Sequence, residues 1–113
     1  MSPPQRRSSR ERLQDVLASI SAIRDHLGRG ELTDPLVFDA VRMRLVEIGE
    51  AINAVPADIL ESESDIPWKE VVAMRHKLAH HYFDTVLAIV DGTVEHDLPV
   101  LEAAAARMSR RLR

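Results

Sequence analysis

The side chains best equipped for chemistry lie together, in the run Met74-Arg75-His76-Lys77-Leu78-Ala79-His80-His81-Tyr82-Phe83. A guanidinium grips a phosphate through a planar fork that binds two oxygens at once. An imidazole, with an unperturbed pKa of about 6.5, moves protons at neutral pH. His76, His80 and His81 fall within six positions, and the chain holds only His26 and His96 elsewhere. There is no cysteine, which excludes thiolate catalysis, disulfides and Cys-based zinc sites. No glycine-rich phosphate loop occurs. Arginine and histidine without those other devices point to cleavage of a phosphodiester by acid–base chemistry. The i,i+4 pair His76 and His80 has the spacing to chelate a metal. Against that, no glutamate of the HExxH kind stands between them and no third ligand is evident.

A helical wheel sharpens the reading of Arg75. With Arg75 at zero and about 100° per residue, Trp68, Val71, Val72, Leu78, Ala79 and Tyr82 all fall within roughly 60° of it. His76 and His80 share one flank, while Lys77 and His81 face away. Arg75 is therefore expected in the middle of an apolar stripe, where a charge is costly unless it is paired. One resolution is structural, a half-buried ion pair with Glu47 or Glu50, or a stem that packs while its head reaches water. The other is a guanidinium held ready for a phosphate.

Helices must position these residues, and the chain marks them clearly. Ser8 and Glu11 form an S-x-x-E capping box, and Leu13, Val16, Leu17, Ile20, Ile23 and Leu27 follow at helical spacing up to Gly28. Asp34-Pro35 caps and opens a second helix with the stripe Val37, Val41, Leu45, Ile48, Ile52 and Val55, ended by Pro56. Residues 56–66 read as a polar connection. Pro67 opens the helix that carries Arg75, a further helix is expected from about Asp84 to Glu95, and Pro99 kinks the chain or opens a last, Ala-rich helix. No stretch alternates with period two for long enough to predict a strand. The expected fold class is all-α, an antiparallel bundle in a single domain over residues 1–113, with residues 1–7 a mobile basic tail.

Composition agrees. Of 113 residues, 45% are hydrophobic, yet the aromatics are one Trp, one Tyr and two Phe, so the core is aliphatic. Net charge is −3, which leaves no overall positive field. Basic residues do gather at both ends, Arg6 to Arg12 and Arg107 to Arg113, where the plain expectation is solvated termini. No apolar run approaches the ~20 residues that span a bilayer, and no secretory leader is recognisable. With the missing cysteine, this leads to an expected cytoplasmic location and no membrane partner.

The string Arg75-x4-His80-x-Tyr82 matches R-x4-H-x-Y, and three other landmarks accompany it in order: Ile48-Gly49-Glu50-Ala51, Ile66-Pro67-Trp68 and Asp97-Leu98-Pro99. Together these resemble HepT-like members of the HEPN superfamily over roughly residues 36–101. One departure is His76, where that family most often carries Asn. The resemblance implies a four- to five-helix bundle, a symmetric homodimer, and endoribonuclease activity without metal or cofactor. It implies Arg75 and His80 as the catalytic pair, with His76 as an auxiliary polar group. It also implies a partner, a minimal nucleotidyltransferase antitoxin of the MntA type, which silences the toxin of a type VII-like toxin–antitoxin system by transferring AMP to Tyr82. The RNA substrate would be mRNA or tRNA. Two other readings stay open at this point: a non-catalytic HEPN module that presents nucleotide or tRNA to a nucleotidyltransferase, and a purely structural helical dimerisation domain.

Overall fold

The computed structural model describes residues 7–80 and 83–112, with the side chains of His80, Phe83 and Thr85 also outside the description. Every regular element among the described residues is helical. Helix α1, Ser9–Leu27, opens as expected: the Ser8 hydroxyl accepts from the Glu11 amide at 3.1 Å and Glu11 accepts from the Ser8 amide at 3.0 Å. Helix α2, Pro35–Asn53, is capped by the Asp34 carboxylate, which accepts from the Leu36 amide. These caps satisfy amides that a helix start leaves without partners.

Residues 56–66 are more ordered than a polar connection. A single turn, α3 (Ala57–Leu60), runs into a 3-10 turn, Glu61–Glu63. Four residues are too few to display an apolar period, so tertiary contacts decide the turn instead. The Trp68 indole N–H donates to the Leu60 carbonyl at 2.9 Å and the Glu63 carbonyl at 3.1 Å, so the half-buried ring meets its one polar requirement there. Glu63 in turn accepts from Arg107 and Arg111, which ties the turn to the end of the chain.

Helix α4, Trp68–His80, leads to α5, Phe83–Gly92, and then α6, Leu98–Arg111, with a π-turn at Thr93–Asp97. Pro99 opens α6, as one of the two expectations had it. The π-turn has a physical reason. Val90 and Leu98 are both buried, yet eight residues of ordinary α winding would set them about 80° apart. The wider i→i+5 winding returns Leu98 to the core side, and it suits a proline that has no amide to donate.

The core is aliphatic, as expected. Leu13, Val16, Ile20 and Ile23 of α1 meet Val41, Leu45, Ile48 and Ile52 of α2, with Leu78, Val86, Val90, Leu98 and Met108 closing it. Each such side chain contributes about 1.5–3 kcal/mol when fully buried. Helix α2 is central, packed against α1 on one side and α4 on the other, and α6 packs on α1. The Arg24 guanidinium and the Glu102 carboxylate pair through two hydrogen bonds at that last contact.

Candidate functional site

The site is built on α4, and α2 decides where α4 sits. Gly49 makes the close approach: a Cβ there would stand 3.2 Å from the Val71 carbonyl oxygen and 3.7 Å from the Arg75 Cβ. The absence of a side chain lets the backbone of α4 settle directly on α2. Met74 and Leu78 are the α4 side chains buried in the core, whereas Trp68, Val71 and Val72 are half-buried.

This corrects the expected position of Arg75. It is exposed, at the edge of the α2–α4 contact and not in the middle of a buried stripe. The apolar strip of α4 is wider than the part that this chain covers, because the core lies toward Met74 and Leu78. Arg75 stands on the uncovered remainder, beside half-buried Val72 and exposed Ala79. The ion pair with Glu47 or Glu50 does not form either. Glu47 accepts from Arg44 at 3.0 Å and from the Ser19 hydroxyl at 3.4 Å, Glu50 is exposed, and Arg75 has no ion pair among the described residues.

His76 is exposed on the same helix, and His80 is the last residue described on it. Five residues separate Arg75 from His80, a rise of about 7.5 Å along the axis. The His80 side chain, His81 and Tyr82 lie outside the described residues, and so do the suggested His76–His80 chelate and the placement of the motif tyrosine.

One residue near this site escaped sequence reading. Arg42 of α2 donates from Nη1 to the Leu78 carbonyl of α4 at 3.3 Å. Its guanidinium lies 5.8 Å from the centre of the Phe38 ring, and Nη2 is 3.7 Å from the Asp39 carboxylate. The spacing of Phe38 and Arg42 is legible as an i,i+4 pair, but the reach to α4 is a tertiary fact.

The basic ends are less free than their composition suggests. Arg7 pairs with Asp15 at 2.7 Å, while Arg107 and Arg111 converge on Glu63 at 2.6 and 2.8 Å. Hydrogen bonds from Arg107, and then from Arg111, hold the Glu63 carboxyl at about 2 against an ordinary 4.5. On the other side of α4, away from Arg75, a cleft of about 380 Å³ has an apolar floor that includes Met74, Ile89 and Leu101. Asp65, Glu70 and Asp97 line it against the single cation Lys77, a charge balance that disfavours a polyanion.

A family model described as Ribonuclease HepT-like matches residues 13–108. The "Probable ribonuclease HepT" of Thermococcus cleftensis is 31% identical over 109 residues, covering 93% of this chain and 99% of that protein. The "Putative RNase TTE0752" of Caldanaerobacter subterraneus subsp. tengcongensis is 39% identical over 69 residues, 61% of this chain and 62% of that relative. No solved structure matches the chain. No helix among the described residues is long and apolar enough to cross a membrane.

Proposed function

The chain belongs to the HepT-like ribonuclease family, and from that premise we propose that it is a metal-independent endoribonuclease, the toxin of a type VII-like toxin–antitoxin pair. The observation that carries this reading is Arg75. It is an exposed guanidinium without an ion pair among the described residues, five positions before a histidine, on a helix whose apolar strip is left half-open. Glu47 is taken by Arg44 and Ser19, which supports reading the Arg75 guanidinium as available to a phosphate.

The reaction needs few parts. The RNA 2'-hydroxyl oxygen attacks the adjacent phosphorus and gives its proton to a base. The 5'-oxygen leaves, taking a proton from an acid, and a 2',3'-cyclic phosphate remains. Cationic groups stabilise the crowded phosphorane between these events. One chain brings one motif histidine and one Arg75. A two-fold homodimer brings two of each to its seam, which supplies both proton-transfer roles. The uncovered strip beside Arg75 is the surface such a dimer would bury. Helix α2 adds Leu36 and Met43, which stand 82% and 56% exposed.

Control is assigned to Tyr82, the only tyrosine of the chain. A minimal nucleotidyltransferase antitoxin would transfer AMP to its hydroxyl and release pyrophosphate from ATP. The added phosphate and nucleoside would compete with RNA for the same cations.

The test is direct. The purified chain should cleave RNA in excess chelator and leave 2',3'-cyclic phosphate ends. Co-expression with a minimal nucleotidyltransferase antitoxin should raise its intact mass by whole AMP units at Tyr82, and Tyr82→Phe should abolish that gain while remaining toxic. Nucleotide binding without cleavage would select a non-catalytic module. Equal neutralisation of the Phe variant would show that the antitoxin acts by binding alone.

A further inference from the structure

We propose that the cleft between α4 and the turn from α5 to α6 is a docking groove for a second protein, which lays into it an amphipathic helix with lysines or arginines flanking its aliphatic face. This docking does not require ribonuclease activity.

The groove follows from how the helices are shared out. Among the described residues α4 packs on α2 and α6 packs on α1, so no helix fills the space between α4 and α6. About 380 Å³ is left there, at the lower end of the ~300–1,000 Å³ usual for binding clefts. Met74, Ile89 and Leu101 give it an apolar floor. Val100, 57% exposed at the rim, continues that floor outward into water. One wall includes Thr93 and Asp97 of the π-turn, a winding that recurs at functional sites.

Charge at the rim selects the occupant. Asp65, Glu70 and Asp97 are exposed around the opening, and none of them forms an ion pair among the described residues. Elsewhere Asp15, Glu63 and Glu102 are each matched by an arginine. Three open carboxylates against Lys77 set a negative field over an apolar floor, which repels RNA and anionic lipid and attracts a cationic partner. A bare cation would gain nothing from Met74, Ile89 and Leu101, whereas an aliphatic anchor between cations uses floor and rim together. The walls are helical, and a helix meets such a groove with anchors at i, i+3, i+4 and i+7. Asp65 and Glu70 stand at the start of α4 and Lys77 about 10 Å beyond Glu70, so the partner's cations belong at the first end. The groove opens away from Arg75, so a docked helix leaves that guanidinium uncovered.

The probe is a displayed library of random peptides about 16 residues long, roughly four helical turns. Peptides selected on the full chain are then titrated into wild type, Glu70→Gln with Asp97→Asn, Val100→Ser, and Arg75→Ala. The substituted positions are exposed, so the fold should survive each change, which circular dichroism checks. Selected peptides should combine aliphatic residues at helical spacing with lysine or arginine. The carboxylate variant and Val100→Ser should each bind them about tenfold more weakly, with Arg75→Ala within twofold of wild type. Added salt should weaken binding to wild type and leave the carboxylate variant nearly unaffected. Amide shifts on binding should centre on Met74, Ile89 and Leu101. An acidic or uncharged consensus, no selected peptide, or binding lost in Arg75→Ala would each overturn the proposal. A smaller assembly for Val100→Ser than for wild type by light scattering would make the groove a contact between copies of this chain and also overturn it. An inactive wild-type chain that bound the basic peptides in this pattern would sink the ribonuclease reading and leave the groove standing.

Discussion

Arg75 and Glu63 show opposite ways to treat a charge. Glu63 gathers Arg107 and Arg111, with only 10% of its side chain exposed, while Arg75 is left open. Under the proposed function, Arg75→Ala and His80→Ala should each reduce RNA cleavage by about 10²-fold or more while the chain stays folded. Circular dichroism and a cleavage assay check both statements, and full activity in either variant would remove that residue from the mechanism. Glu63 makes a pH statement. Its carboxyl is held at about 2 in the fold against an ordinary 4.5, so its contribution is fully present above about 4.5 and is lost as pH falls toward 2. Glu63→Gln should therefore lower Tm at pH 7 and flatten the acid side of the Tm–pH curve between pH 4.5 and 2. An unchanged acid slope would assign that limb to the other lowered carboxyls, Glu102 and Glu11. The sequence made the candidate residues legible, because Arg75, His80 and Tyr82 sit in one run. It left open whether Arg75 is ion-paired against the core or reaches water, and the structure exposes it. A wheel ranks faces by composition, and here Met74, not Ala79, marks the side that the core uses.

At the scale of elements, the α2–α4 contact depends on Gly49. A valine there would press its branched side chain toward the Val71 carbonyl oxygen, 3.2 Å from the Cβ position, and backbone cannot yield as a flexible side chain can. Gly49→Val should destabilise by about 1–3 kcal/mol, the usual range for overpacking. For a chain of this size that is roughly 4–8 °C in Tm per kcal/mol, measurable by calorimetry. Gly49→Ala should be nearly neutral, since about 0.5–1 kcal/mol of helix propensity offsets mild crowding. Equal stability of Gly49→Val and wild type would show that α4 does not rest on this contact. Local chemistry made most helix ends legible: the capping box at Ser8, the Asp34-Pro35 start and Pro67 before Trp68 all stand in the structure. The turn at Ala57–Leu60 was not legible, since it is held by Trp68 and Glu63 from outside its own sequence. The same holds for the π-turn, which answers to where Val90 and Leu98 must both point.

For the whole molecule, the uncovered strip on α4 and the exposed Leu36 and Met43 of α2 lead to an assembly prediction. Light scattering of the free protein should give a mass near twice 12.7 kDa. Mixed dimers of Arg75→Ala and His80→Ala chains should regain part of the activity if both protomers build each site. A monomer with full activity at working concentration would contradict this. The ion pairs at the chain ends have a further consequence, in the ions the protein sheds when it takes up RNA. Arginines already matched by carboxylates at Asp15, Glu102 and Glu63 hold few phosphates and displace few counterions. If only the two Arg75 side chains of a dimer meet the strand, the slope of log affinity against log salt should be about −1.4. Binding should then persist into salt concentrations that strip more basic nucleic-acid proteins from their targets. A slope of about −4 or steeper would mean that further arginines near the chain ends, such as Arg10, Arg12 and Arg110, join the RNA footprint.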